Sequence, residues 1–160
     1  MSVFGWAFAL RLLVPIVIIV AVAIPLTSSA SLRAALARVR RAAPGARVAL
    51  LRIDATSFSV TASRLGHLQQ IYFGPVGTVI TPGNTGGQLG VPLSKIKPDA
   101  VTRMVNDMQR RFHVPARKID YIVLVSPPGL GPSWALFTKT PAHTGYQAAL
   151  SGAGLKRLRT

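Results

Sequence analysis

The sequence predicts an α+β protein, an N-terminal transmembrane helix followed by two α-β-β-β repeats that build an antiparallel sheet. Three observations lead there. One long apolar run, Leu12 to Leu26, stands near the start. Two amphipathic stretches of helical period, beginning near Ser31 and Asp99, each precede a series of strand-like pieces. Those pieces are short and joined by turn residues, which favours hairpins and hence antiparallel pairing.

The apolar run reads LLVPIVIIVAVAIPL. A helix rises about 1.5 Å per residue, so roughly 20 residues cross a hydrocarbon core about 30 Å thick. Residues 12–31 supply that length, with Leu12, Val17, Ile19, Val22 and Leu26 inside the span. Residues 1–30 therefore read as a membrane anchor or a signal peptide. In the second case Arg11 is the basic start and Ser28-Ser29-Ala30 the small-residue cleavage site. Pro15 and Pro25 are tolerated in a membrane helix, and Phe4, Trp6 and Phe8 suit its interface. The positive-inside rule, with Arg33, Arg38, Arg40, Arg41 and Arg47 following the span, favours a cytoplasmic domain. The signal-like layout favours export. The expectation carried forward is a single-pass membrane protein with an extracytoplasmic domain.

After the leader, SLRAALARVRRAAPG has Leu32, Leu36 and Val39 on one face, Ser31 as N-cap and Pro44-Gly45 as terminator. Strand-like pieces follow at Arg47 to Ala55, Phe58 to Ser63 and Leu68 to Phe73, with an extension over Val76 to Ile80. Together these make a first repeat, residues 31–80. The stretch TPGNTGGQLGV is poor in side chains that pack, so residues 81–97 read as a Gly/Pro-rich linker. It lacks the lysine and the Ser/Thr that close a phosphate-cradling loop.

Asp99 to Phe112 carries the clearest helical stripe, Val101, Met104, Val105, Met108 and Phe112, with Asp99 at its N-terminus. Strands are expected at Ile119 to Val125, Trp134 to Thr140 and Tyr146 to Leu150, completing a second repeat and a basic tail, residues 98–160. The two halves share their order, and His67 and His143 open the third strand of each.

The chain has nineteen Lys and Arg against four Asp, no Glu, and a net charge of +15. Such a surface draws anions of any kind. Arg33, Arg38, Arg40, Arg41 and Arg47 are the expected contacts to lipid headgroups or an anionic wall polymer. With no cysteine there is neither a disulfide framework nor a thiolate metal site. The four carboxylates, Asp54, Asp99, Asp107 and Asp120, are scattered, and His67, His113 and His143 make a poor metal set. No Gly-x-Ser-x-Gly elbow is present. No catalytic residue, metal or cofactor is assigned. Tyr72 and Phe73 beside arginines suggest a base-stacking platform, but the signature of an RNA-binding sheet is absent, and nucleic acid is disfavoured.

The layout of ALARVRRAAPGARV leading into RIDATSFSVTASRLGHLQQIYF resembles the PepSY-like and β-lactamase-inhibitor-protein-like modules, tandem α-β-β-β units of exported bacterial proteins. The acidic residues usual near their second and third strands are missing here. The resemblance implies a non-catalytic module that binds a protein partner in the cell envelope. The alternatives are a basic adhesion module for anionic lipid or wall polymer and, in the cytoplasm, a nucleic-acid-binding domain.

Overall fold

Helix α1 spans Ser29–Ala42 in the computed structural model, which describes residues 28–74, 77–85, 90–127, 129–139 and 144–158. Ser28, not Ser31, is its N-cap: the Ser28 hydroxyl accepts the Ser31 N–H at 3.2 Å. Leu32, Ala35, Leu36 and Val39 form the buried stripe. Helix α2 spans Asp99–Phe112 and buries Ala100, Val101, Met104, Val105 and Met108. Asp99 sits in its first turn beside the positive end of the dipole, but makes no side-chain cap. His113 ends the helix at a left-handed φ of 54°, and the Val114 N–H reaches back 3.1 Å to the Met108 carbonyl.

The expected transmembrane helix is corrected at its only described end. Residues 29–31 belong to the first turn of α1 rather than to the far interface of a span. Leu12, Val17, Ile19, Val22 and Leu26 lie outside the described residues. Among the described residues no helix is long and apolar enough to cross a membrane, so the single-pass placement receives no support. The reason is visible in α1 itself, where Arg33, Arg38, Arg40 and Arg41 alternate with the apolar stripe and stay exposed.

Among the described residues nine strands form one antiparallel sheet. They are β1 (Arg47–Ile53), β2 (Phe58–Arg64), β3 (His67–Gly74), β4 (Gly77–Thr85), β5 (Val91–Pro92), β6 (Ile119–Val125), β7 (Ser133–Thr138), β8 (Gly145–Ala149) and β9 (Lys156–Arg157). Across the sheet the order is β4-β3-β2-β1-β6-β7-β8-β9, with β5 paired to the start of β1. Each helix is thus followed by a meander that walks outward from a shared centre, four strands to a half rather than three. The stretch read as a linker contributes the end of β4, which pairs with β3 as far as Thr85, and then β5.

The two halves join where β1 meets β6, with Leu51 opposite Leu124 and Ile53 opposite Ile122. Those four side chains are buried beneath the helices. Alternation carries the rest of that face inward: Val60, Ala62, Ile71 and Phe73 on one side, Trp134, Leu136, Tyr146 and Ala148 on the other. Trp134 is fully enclosed, and its indole N–H donates to the Leu150 carbonyl at 3.0 Å. Both lead strands are bulged against the strand that follows them, β1 between Val48 and Leu50 and β6 between Ile119 and Tyr121.

The outer edges differ. At one end β9 is two basic residues long, too short and too charged to template another strand. At the other, β4 leaves Val79 and Ile80 exposed, and Pro82 interrupts its ladder.

The turn after β8 is fixed by a close approach. Gly152 has a φ of +78°, and a Cβ there would run into the backbone of Ala100 at the start of α2. A left-handed residue with a side chain costs about 1–2 kcal/mol before any clash. Gly152→Ala is expected to lower the unfolding free energy by about 2 kcal/mol or more, read from urea denaturation with an unchanged slope.

Candidate functional site

Both helices cover one face of the sheet, and among the described residues no helix covers the other. Its residues follow from the register. One row across the strands reads Val79, Tyr72, Ser59, Arg52, Val123, Ala135 and Gln147. The next reads Thr81, Gln70, Thr61, Leu50, Val125 and Ser133. The first half of this face is hydroxyl- and amide-bearing. The second is aliphatic and aromatic, with Val123, Val125, Ala135, Tyr121 and Phe137 half-buried. Leu50, at the seam, is 37% exposed.

Tyr121 and Phe137 are cross-strand partners and stack, with centroids 4.7 Å apart and planes 25° from parallel. The Arg52 guanidinium lies over the Tyr121 ring, 4.2 Å from its centroid. Asp54 holds that guanidinium from the side: Arg52 Nε donates to the two Asp54 carboxylate oxygens at 3.0 and 3.2 Å, and Arg52 Nη2 donates to Oδ1 at 3.0 Å. The hydrogen bonds to Asp54 raise the Arg52 pKa above the ordinary arginine value, against a smaller opposing effect of desolvation. The result is a stack of guanidinium, phenol and phenyl near the middle of the face, whose first row runs on past Gln147 to the charged Lys156. At the far side, the Gln147 amide donates to the Ser133 hydroxyl at 3.1 Å.

The pleat separates Tyr72 from Phe73. Tyr72 is 43% exposed on the uncovered face, whereas Phe73 points to the core and stacks on Phe58 at 4.2 Å. Neighbours in sequence on a strand point apart, so a Tyr-Phe pair cannot present two rings side by side. Arg52, Tyr121 and Phe137 drew no attention in the sequence. The one available signal was the alternation of IDYIVLV, which puts Tyr121, Val123 and Val125 on a common face.

The anionic-surface residues fall into two groups. Arg33, Arg38 and Arg41 are exposed on α1. Arg40, exposed as well, and Arg47 line a cavity of about 550 Å³ at the C-terminal end of α1, together with Arg64 from the end of β2. Arg47 Nε donates to the Gly90 carbonyl at 3.0 Å, which ties β1 to the chain entering β5. Arg64 was not singled out from the sequence. The hairpin signal Leu65-Gly66, which brings the end of β2 level with the start of β1, was the clue to it.

The remaining titratable groups are dispersed. His67 is exposed at the start of β3, His113 caps α2, and His143 lies outside the described residues. Asp107 pairs with Arg110 one helical turn on, at 3.3 Å. Among the described residues no group of three His, Asp or Glu could hold a metal ion. Comparison of the chain with protein-family models, with curated proteins and with solved structures finds no match.

The Arg52–Asp54 pair is 46% and 33% exposed at its two side chains, so water screens it and its net worth is small. Arg52→Met, which keeps the packing over Tyr121, is expected to change the unfolding free energy by less than about 1 kcal/mol. Urea denaturation checks this.

Proposed function

We propose that the chain is a non-catalytic interaction module, and that it docks an acidic protein partner on the uncovered sheet face. One observation carries the proposal: a contiguous aliphatic and aromatic surface, Leu50, Val123, Val125, Tyr121 and Phe137, stands outside the core on rigid strands. An antiparallel sheet that faces water on one side normally carries polar residues there. Apolar patches with an aromatic centre and an arginine are what protein interfaces bury. The resemblance to PepSY-like and β-lactamase-inhibitor-protein-like modules implies the same mode of action.

Charge selects the partner. At +15 a second copy of this chain is repelled over the whole approach, while an acidic protein is steered in. The polar half of the face, with Ser59, Thr61 and Gln70, then supplies hydrogen bonds beside the apolar half.

A second reading, adhesion to an anionic polymer, draws on Arg33, Arg38, Arg40 and Arg41, all exposed along one helix. Salt separates the two. Polymer binding depends on charge and collapses between low and moderate ionic strength, whereas an interface with a dry apolar centre persists.

A photo-crosslinking amino acid at Val123 in the full chain, used in its native cells, tests the docking face. The expected product is a single adduct with an acidic protein. Formation survives 0.5 M salt in a lysate, and Val125→Asp weakens it about thirtyfold or more. An adduct to residues 1–27 of the same chain, an adduct to a second copy, or no salt-resistant adduct overturns the proposal.

A further inference from the structure

The cavity at the end of α1 is built differently from the sheet face, and it points to a separate ligand. Three arginines line it, Arg40, Arg47 and Arg64, and among the described residues no carboxylate does. Among those residues the side chains of Arg40 and Arg64 have no hydrogen-bond or ion-pair partner, while Arg47 is pinned through Nε to the Gly90 carbonyl. The negative end of the α1 dipole also reaches this place, but it amounts to about half an elementary charge against three full positive ones. The balance is strongly cationic.

The walls between the guanidinium groups are mixed, with Ser63 and Ser94 beside prolines and leucines. Pro44 and Pro92 contribute rigid rings, and Leu65 stands at the rim, 77% exposed. Leu65 is there at a cost. It occupies the first central position of the β2–β3 turn with a φ of 48°, followed by Gly66 at 79°. That position favours Asn, Asp or Gly, and a leucine in it costs about 1 kcal/mol. A strained and exposed leucine beside a cavity is the kind of outlier that marks a ligand contact.

We infer that this cavity binds a phosphate monoester with a small apolar body. Planar guanidinium forks match phosphate oxygens two at a time. A volume of about 550 Å³ lies within the usual range for a small-molecule site. The phosphoryl group faces Arg40 and Arg64, and the apolar body lies against Pro44, Pro92 and Leu65.

Phenyl phosphate, with inorganic phosphate and benzoate as comparisons, tests the site by calorimetric titration of the full chain in low-salt buffer free of phosphate. Phenyl phosphate is expected to saturate one site and to bind more tightly than either comparison ion. Arg40→Gln and Arg64→Gln should each weaken it by about tenfold to a hundredfold, the usual loss for a hydrogen bond between charged groups. Leu65→Asn should weaken it severalfold while raising the thermal midpoint, because it relieves the turn and removes the apolar contact. Arg103→Gln, exposed on α2 and outside the cavity, should leave binding unchanged. Absence of saturable binding, or an equal loss with Arg103→Gln and Arg64→Gln, overturns the inference, as does a failure of Leu65→Asn to weaken phenyl phosphate.

Discussion

The pairing of β1 with β6 is the contact on which the rest of the structure depends. Among the described residues the segments before residue 86 and after residue 98 meet along that seam and where the two helices touch, and they share one core. Leu51, Ile53, Ile122 and Leu124 lie under both helices and bridge the two cores into one. Without the seam each half is a helix on a small sheet with an open edge along its most apolar strand. Such an edge is an aggregation hazard rather than a stable surface. Pairing the two lead strands removes both central edges at once and moves the free edges outward to β4 and β9.

Burial on one face then defines what the other face can be. The helices consume the inward set of side chains, so the outward set is released from packing duty and is free to differ between halves. It does differ. Ser59 and Thr61 on β2 are polar, whereas β7, the strand in the matching place of the sheet order, carries Ala135 and Phe137 beside Ser133. Arg52 stands at the junction of the two, its charge absorbed by Asp54 and its plane laid on Tyr121. A cation so held offers a flat surface more than a free charge, which suits a partner with an apolar centre and an acidic rim.

Much of this was legible from residue pattern, for a physical reason. Helix α2 falls at Asp99–Phe112 because Val101, Met104, Val105 and Met108 leave no other period. The strand β6 falls at Ile119–Val125 because a branched, nearly uncharged run of that length has few alternatives. What escaped detection depends on neighbours distant in sequence. The end of β4 reads as a loop, since Pro82-Gly83-Asn84-Thr85 has no strand propensity, and pairing with β3 holds it. Hydropathy alone does not separate the serines at 28, 29 and 31 from the apolar run before them, so the first turn of α1 reads as the end of a membrane span. Tyr72 and Phe73 are adjacent in sequence, and the pleat turns adjacent side chains to opposite faces. Arg64 entered the cavity only once the hairpin at Leu65-Gly66 had set it beside Arg40 and Arg47.

An antiparallel contact between equivalent strands has the geometry of a two-fold axis. A lone half of this chain could satisfy the same pairing with a copy of itself, as isologous dimers do. The present sequence thus has the form of a dimer written on one thread. Covalent linkage frees such an arrangement from symmetry: one flank can be greasy and its counterpart wet, a division of labour closed to a true homodimer.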